Sequence, residues 1–181
     1  IIRHFLQAIR PTPPNLQPTD IMLPLEEVLT VLRAEFEGAK IKVEVSVTGI
    51  IPAVSADSEQ LKQVYFNLLK NAREAMEEGG LLQICAQAND SELVLSFIDS
   101  GKGISAEGLT HLFEPYRTTK KAGSGLGLMI AQKIMRAHGG QIAVESREGA
   151  GTSVSLVFPL RYRRLRPLTG RATPPPQLPK H

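Results

Sequence analysis

Between Asp57 and the pair Gly79-Gly80, apolar residues recur at three- and four-residue intervals: Leu61, Val64, Tyr65, Leu68, Leu69, Ala72, Ala75 and Met76. That period predicts a long helix, about 58–77, with one face committed to a core. The flanking sequence shows what can cover it. Ile41, Val43, Val45 and Val47 alternate with Lys42, Glu44, Ser46 and Thr48, the pattern of a half-buried strand. A short strand is expected over about 52–55. Two more are expected over about 81–88 and 92–98, joined by the Asn89-Asp90 turn. A final hairpin, 141–146 and 152–158, turns around Gly149-Ala150-Gly151. Two other helices complete the pattern. One ends near residue 37, carries Leu25, Val28, Leu29, Leu32 and Phe36, and starts either at an Asp20 cap or later with Pro24 in its first turn. The other spans about 125–138 and stops at Gly139-Gly140.

The ends differ from this body. Residues 1–10 read as the last turns of an apolar helix with Ile2, Phe5, Leu6 and Ile9 on one face, and Arg10-Pro11-Thr12-Pro13-Pro14 stops it. Residues 11–20 are expected to be a linker, 21–160 the folded domain, and 161–181 a disordered Pro-rich tail. The chain opens on Ile1-Ile2-Arg3 without a Met or signal peptide, which suggests an excerpt of a longer protein.

The net charge of +3 raises the question of a nucleic-acid partner. The tail, however, holds Arg161, Arg163, Arg164, Arg166, Arg171 and Lys180 and no acid. Without it the body carries 15 basic and 18 acidic residues, a net of −3, so nucleic acid is not implied. A single Cys excludes an intrachain disulfide and suggests a reducing compartment. Cys85 is expected to be buried and unreactive. No run of about 18 apolar residues is present to span a membrane.

Four constellations carry possible chemistry. Asn67 and Asn71 lie one helical turn apart beside Lys70, on the face opposite the apolar stripe. Asn is a poor helix-interior residue, and its carbonyl oxygen is a hard donor suited to Mg²⁺; the alternative is a solvated polar face. Asp99-Ser100-Gly101-Lys102-Gly103-Ile104 follows a strand, with an Asp placed to accept from an exocyclic amine and glycines permitting close approach; alone it is equally a turn. Gly123-Ser124-Gly125-Leu126-Gly127-Leu128 runs into a helix, whose N–H groups form an anion site unless the segment is only a hinge. It is neither a Walker loop nor a dinucleotide fingerprint. Leu112-Phe113-Glu114-Pro115-Tyr116-Arg117-Thr118-Thr119-Lys120 lies between them, either a lid over a polyphosphate or a plain surface loop. The irregular stretch 99–124 is long for a compact domain, which favours a functional loop.

In order and spacing these motifs resemble the catalytic ATP-binding domain of bacterial sensor histidine kinases, in the superfamily shared with gyrase, a heat-shock chaperone and MutL. Asn67–Asn71 looks like the N box, Asp99–Gly103 the first glycine box, Phe113 the F box and Gly123–Leu128 the second glycine box. Gly151-Thr152-Ser153-Val154 through Leu160 resembles the last hairpin. The resemblance covers about 20–160 and is closest to the NtrB-like subgroup, although Tyr116-Arg117 replaces the usual paired Phe. It implies a two-layer α+β sandwich of the Bergerat type: a mixed, mainly antiparallel sheet of about five strands under three helices, with a mobile ATP lid.

The roles that follow from the resemblance are these. Asn71 would hold Mg²⁺ against the phosphates of ATP, with Asn67 and Lys70 assisting. Asp99 would bind the adenine amino group, with Gly101, Gly103, Ile104, Phe113 and Thr152 shaping that pocket. Gly123, Gly125, Leu126, Gly127 and Leu128 would donate to the phosphates, and Thr118, Lys120 and Arg117 would act from the lid. In the superfamily's ATPases the residue one turn before the Mg²⁺ ligand is typically Glu. Here it is Asn67, which has no basic lone pair at neutral pH. The expected activity is therefore γ-phosphoryl transfer to an outside histidine, against two alternatives: a nucleotide sensor without kinase activity, and a self-contained ATPase.

That histidine is not legible in this chain. His4 is followed by Phe5-Leu6 and lacks a neighbouring carboxylate, His111 reads as a lid-surface residue, and His138 as a helix cap. The resemblance thus implies a His-containing dimerisation domain elsewhere in a homodimeric parent, and a response regulator as the next acceptor. It also implies a cytoplasmic location, with or without an inner-membrane anchor in the parent.

Overall fold

The computed structural model describes residues 13–114 and 126–160; the helix expected over 1–9 and the tail from 161 lie outside the described residues. In chain order the elements are β1 (Gln17–Thr19), α1 (Met22–Gly38), β2 (Ile41–Thr48), β3 (Val54–Ala56), α2 (Ser58–Ala75), β4 (Gly80–Ala88), β5 (Glu92–Asp99), α3 (Ala106–Thr110), α4 (Gly127–Ala137), β6 (Gln141–Arg147) and β7 (Gly151–Pro159).

Five strands form one sheet in the order β2-β4-β5-β7-β6. Only β2 and β4 pair in parallel; every other neighbour is antiparallel. The parallel pair follows from the connection, since β3 and α2 lie between β2 and β4 and bring the chain back in the same direction. The expected mixed sheet of about five strands is what forms. The short strand after residue 50 does not join it. Val54–Ala56 pairs instead with β1, inside the stretch read as a linker, with Gln17 opposite Ala56. Thr19 Oγ1 also donates to Ala56 O at 2.9 Å.

Local chemistry explains where the helices start. Asp57 is extended, and its Oδ1 accepts from Glu59 N at 3.0 Å and Gln60 N at 3.2 Å, capping α2. Of the two expectations for α1, the later start holds: Pro24 sits in the first turn, where its missing N–H leaves nothing unpaired, and the N-cap residue is Ile21, without a side-chain cap, while Asp20 Oδ1 accepts from Met22 N at 2.9 Å just ahead of the helix. The α2 helix ends two residues earlier than its apolar period suggests. Met76 is the C-cap residue and still buries its side chain. The region after β5 is less irregular than expected, because Ser105 caps the single-turn α3 through its bond with Gly108 N.

The core lies between the helices and one face of the sheet. Leu25, Leu32, Phe36, Leu61, Leu69, Ile134 and Met135 meet Leu82, Ile84, Leu93, Leu95, Leu156 and Phe158, all at most 3% exposed. Tyr65 packs on Phe97 with ring centroids 5.9 Å apart, and its hydroxyl donates to Ile21 O at 3.3 Å. Burial pushes the Tyr65 phenol well above its ordinary range, and the charge of Asp20 adds to this, so the ring stays neutral. The other sheet face is open. Cys85 lies there, half-buried rather than buried as expected, between Ser46 and Ser96 in register, because strand alternation turns it away from Ile84 and Ala86. Among the described residues no helix is long and apolar enough to cross a membrane.

Candidate functional site

Successive turns of α2 organise one end of the domain. Asn67 reaches the start of α4, where its Nδ2 donates to Gly127 O at 3.3 Å. Asn71 lies one turn on and is half-buried, and the neighbouring Lys70 is exposed. One turn further, Ala75 O accepts from Lys102 N at 3.0 Å in the loop after β5. That loop approaches so closely that a Cβ on Gly101 would lie 2.6 Å from Ala75 O. From Asn67 to Ala75 the helix rises about 12 Å. Asn71 therefore sits midway between the Asp99–Gly103 loop and the N-terminus of α4.

At the loop end, Asp99 closes β5 and stands directly opposite Thr152 of β7. Each is 8% exposed. Gly101 N donates to Asp99 Oδ1 at 2.9 Å, which fixes the carboxylate. Gly151, at φ +93°, allows β7 to start there, since a Cβ on it would overlap the Asp99 carbonyl. Gly103, at φ +68°, likewise presses against Arg147 O.

Ser146 was not found by sequence reasoning. Its hydroxyl donates to Gly151 O at 2.8 Å, so it accepts from both Ile104 N at 2.8 Å and Thr152 Oγ1 at 2.9 Å. The Thr152 proton is thereby committed, and its oxygen lone pairs can accept from a ligand. Lys102 O also accepts from Gly149 N at 2.8 Å, so the first glycine loop is fastened to the β6–β7 turn. A serine within an ordinary strand pattern carries no local signal of this.

The structure thus brings together Asn67, Asn71, Asp99, Gly101, Gly103, Ile104, Thr152, Leu126, Gly127 and Leu128, with Lys70 at the edge. Phe113 is half-buried in the turn after α3. Thr118, Lys120, Arg117, Gly123 and Gly125 lie outside the described residues. His111 Nδ1 pairs with Glu114 Oε1 at 2.9 Å on the surface, as expected of a surface residue. His138 occupies the C-cap of α4 as expected, but it also reaches Asp57 of α2, a contact no spacing predicts.

Amide oxygens one turn apart, with a helix N-terminus on one side and a buried carboxylate on the other, suit a nucleotide held along α2. Residues 56–162 match the family of histidine kinase-, DNA gyrase B- and HSP90-like ATPases. The chain belongs to this family. Among curated relatives it is 33% identical over 167 residues to sensor histidine kinase ZraS of Escherichia coli K12, covering 92% of this chain and 36% of that protein. It is 36% identical over 162 residues to sporulation kinase E of Bacillus subtilis, covering 89% of this chain and 22% of that protein. The chain therefore spans about a third or less of the relatives it matches. Among solved structures, the nucleotide-free catalytic domain of histidine kinase ThkA shares 30% identity at a TM-score of 0.73, covering 80% of this chain and 95% of that one. Full-length ShkA in complex with AMPPNP shares 26% at a TM-score of 0.75, covering 87% of this chain and 34% of that one. The two-layer fold is that of histidine kinase catalytic domains.

Proposed function

We propose that this chain is the ATP-binding catalytic part of a histidine autokinase, which passes the γ-phosphoryl group to a histidine on a dimerisation domain outside the chain. The observation that carries the reading is the line Asn67–Asn71–Ala75. One helix touches both the start of α4 and the Asp99 loop, so adenine and phosphates can be bound along a single rigid element.

In this reading Asp99 Oδ2 and Thr152 Oγ1 accept from the adenine edge, while Gly101 N–H holds the carboxylate in place. The first N–H groups of α4 face the phosphates. Lys70 adds positive charge at the rim, and Lys120, Thr118 and Arg117 would add contacts from the lid. Among the described residues no group of three His, Cys, Asp or Glu side chains is placed to hold a metal. Mg²⁺, which takes few protein ligands beside phosphate oxygens and water, fits the Asn71 carbonyl oxygen with Asn67 assisting. When bound it neutralises phosphate charge during transfer.

Asn67 separates the kinase reading from the hydrolase one. Its amide is not a base, and one of its two N–H groups donates to Gly127 O, so nothing at this position deprotonates water. ATP is held for an external nucleophile. The partners are a dimerisation domain carrying the acceptor histidine, in a homodimeric parent, and then a response-regulator aspartate.

The test is incubation of the chain with γ-labelled ATP and Mg²⁺, with and without a separately supplied dimerisation hairpin. Label on the hairpin supports the kinase. Rapid free phosphate without the hairpin overturns it in favour of an ATPase. Tight binding with neither outcome overturns it in favour of a nucleotide sensor.

A further inference from the structure

Long-range hydrogen bonds join α2 to α4 at both ends of their shared span. At the nucleotide end the Asn67 amide donates to Gly127 O at 3.3 Å. At the far end the Asp57 N–H donates to His138 Nε2 at 3.0 Å. The helices therefore run antiparallel. Asn67 lies ten positions after Asp57 and His138 eleven positions after Gly127, about 15 and 16.5 Å of helix rise.

The His138 ring is fixed on both nitrogens. Its Nδ1 lies 2.8 Å from Ile134 O. Because Nε2 must offer a lone pair to Asp57 N–H, the proton resides on Nδ1 and is donated to the Ile134 carbonyl. The residue is 8% exposed, so the imidazole is a rigid spacer between the last turn of α4 and the N-cap residue of α2. Neither helix end needs it for capping. The Asp57 carboxylate caps α2 through Glu59 and Gln60. The backbone N–H groups of His138, Gly139 and Gly140 close α4 onto Ile134, Arg136 and Met135. Ala131, Ile134 and Met135 are the buried face of α4; apolar packing is non-directional, so it selects a face without fixing an axial position, whereas hydrogen bonds are directional.

We infer that His138 is a positioning residue. It sets the axial place of α4 against α2, and through it the place of the Gly127–Leu128 backbone relative to Asn67 and Asn71. This rests on the nucleotide reading above. His138 touches no nucleotide and acts through α4.

The test uses the 181-residue chain with two variants. His138→Leu keeps bulk and removes the acceptor, and His138→Gln places an amide oxygen near the Nε2 position. Mg²⁺–AMPPNP affinity is measured by calorimetry, fold by circular dichroism, and hydrogen exchange at the Ile130 and Ala131 amides by NMR. His138→Leu should weaken AMPPNP about tenfold and accelerate exchange at those amides, while His138→Gln stays within about twofold of wild type. A folded His138→Leu with wild-type affinity and exchange overturns the inference, even if its melting temperature falls. Failure of the wild type to bind AMPPNP would instead refute the nucleotide reading, and exchange alone would then decide the role of His138. Should the leucine variant not fold, ¹⁵N shifts of the wild-type ring decide: the Nδ1–H tautomer is expected, and the Nε2–H tautomer overturns the inference.

Discussion

Thr152 stands directly across from Asp99 in the β5–β7 pairing, and both side chains are buried on the helix-facing side of the sheet. Strand register therefore brings together, at one end of the candidate site, residues more than fifty positions apart. Ser146 commits the Thr152 proton and Gly101 fixes the Asp99 carboxylate, so both arrive as oriented acceptors.

Asp99→Asn keeps an oxygen for the Gly101 N–H but replaces a charged acceptor and introduces a donor. It should weaken ATP binding by about 10–100-fold, the worth of one hydrogen bond to a charged group, with the fold intact. Calorimetry with AMPPNP checks this, and wild-type affinity would refute the adenine assignment.

Asn67→Asp would set a carboxylate against the Gly127 carbonyl in place of the amide donor. It should lower Mg²⁺–ATP affinity about tenfold or more and leave phosphate release slow, because a base without a positioned water does not make an ATPase. Unchanged Mg²⁺ affinity by titration calorimetry would count against the N-box role, and fast release in a phosphate assay would reverse the reading of Asn67.

The glycines of the loop and hairpin should separate by surroundings. Gly149 sits at φ +76° with open space where a Cβ would go, so Gly149→Ala should cost only the left-handed backbone penalty, about 1–2 kcal/mol. Gly151→Ala adds overlap with the Asp99 carbonyl to a similar φ of +93°, and should cost about 3 kcal/mol or more. Urea denaturation of the two variants gives the comparison; equal losses would contradict the packing described for Gly151.

Asp57 predicts an acid dependence. Burial works to raise its pKa, but the backbone N–H groups of Asn15, Gln60 and Glu59, with His138 nearby, outweigh it and hold the carboxyl below its ordinary 3.8. A depressed carboxylate stabilises the fold at pH above its unfolded value, and that contribution is lost as pH falls through the folded one. Asp57→Asn retains a capping oxygen but does not titrate. Denaturant titrations should show wild type losing stability below about pH 4 more steeply than the variant. Parallel curves would show that Asp57 is not the group responsible.

Much of the fold is legible because helix and strand periods are local. The stripe from Leu61 to Met76 announces α2, and the alternation from Ile41 to Thr48 announces β2. The boundaries moved where capping chemistry outweighed period: Ala75 ends α2 although Met76 continues its apolar stripe. Asn67, Asn71 and Asp99 were visible as candidates because amides in a helix interior, and an acid between a strand and glycines, conflict with their local setting. Cys85 was misjudged because the sequence of a strand does not say which of its two faces a helix will cover.

The sequence by itself determined the long helices, the strands of the main sheet and the types of group available for nucleotide chemistry, since each depends on neighbours within about four positions. Only the tertiary structure decided that β3 leaves the main sheet to pair with β1, that Ser146 orients Thr152, and that His138 meets Asp57. The physical reason is that a hydrogen bond between residues 81 positions apart depends on which faces have already packed together, and no short-range spacing records that choice.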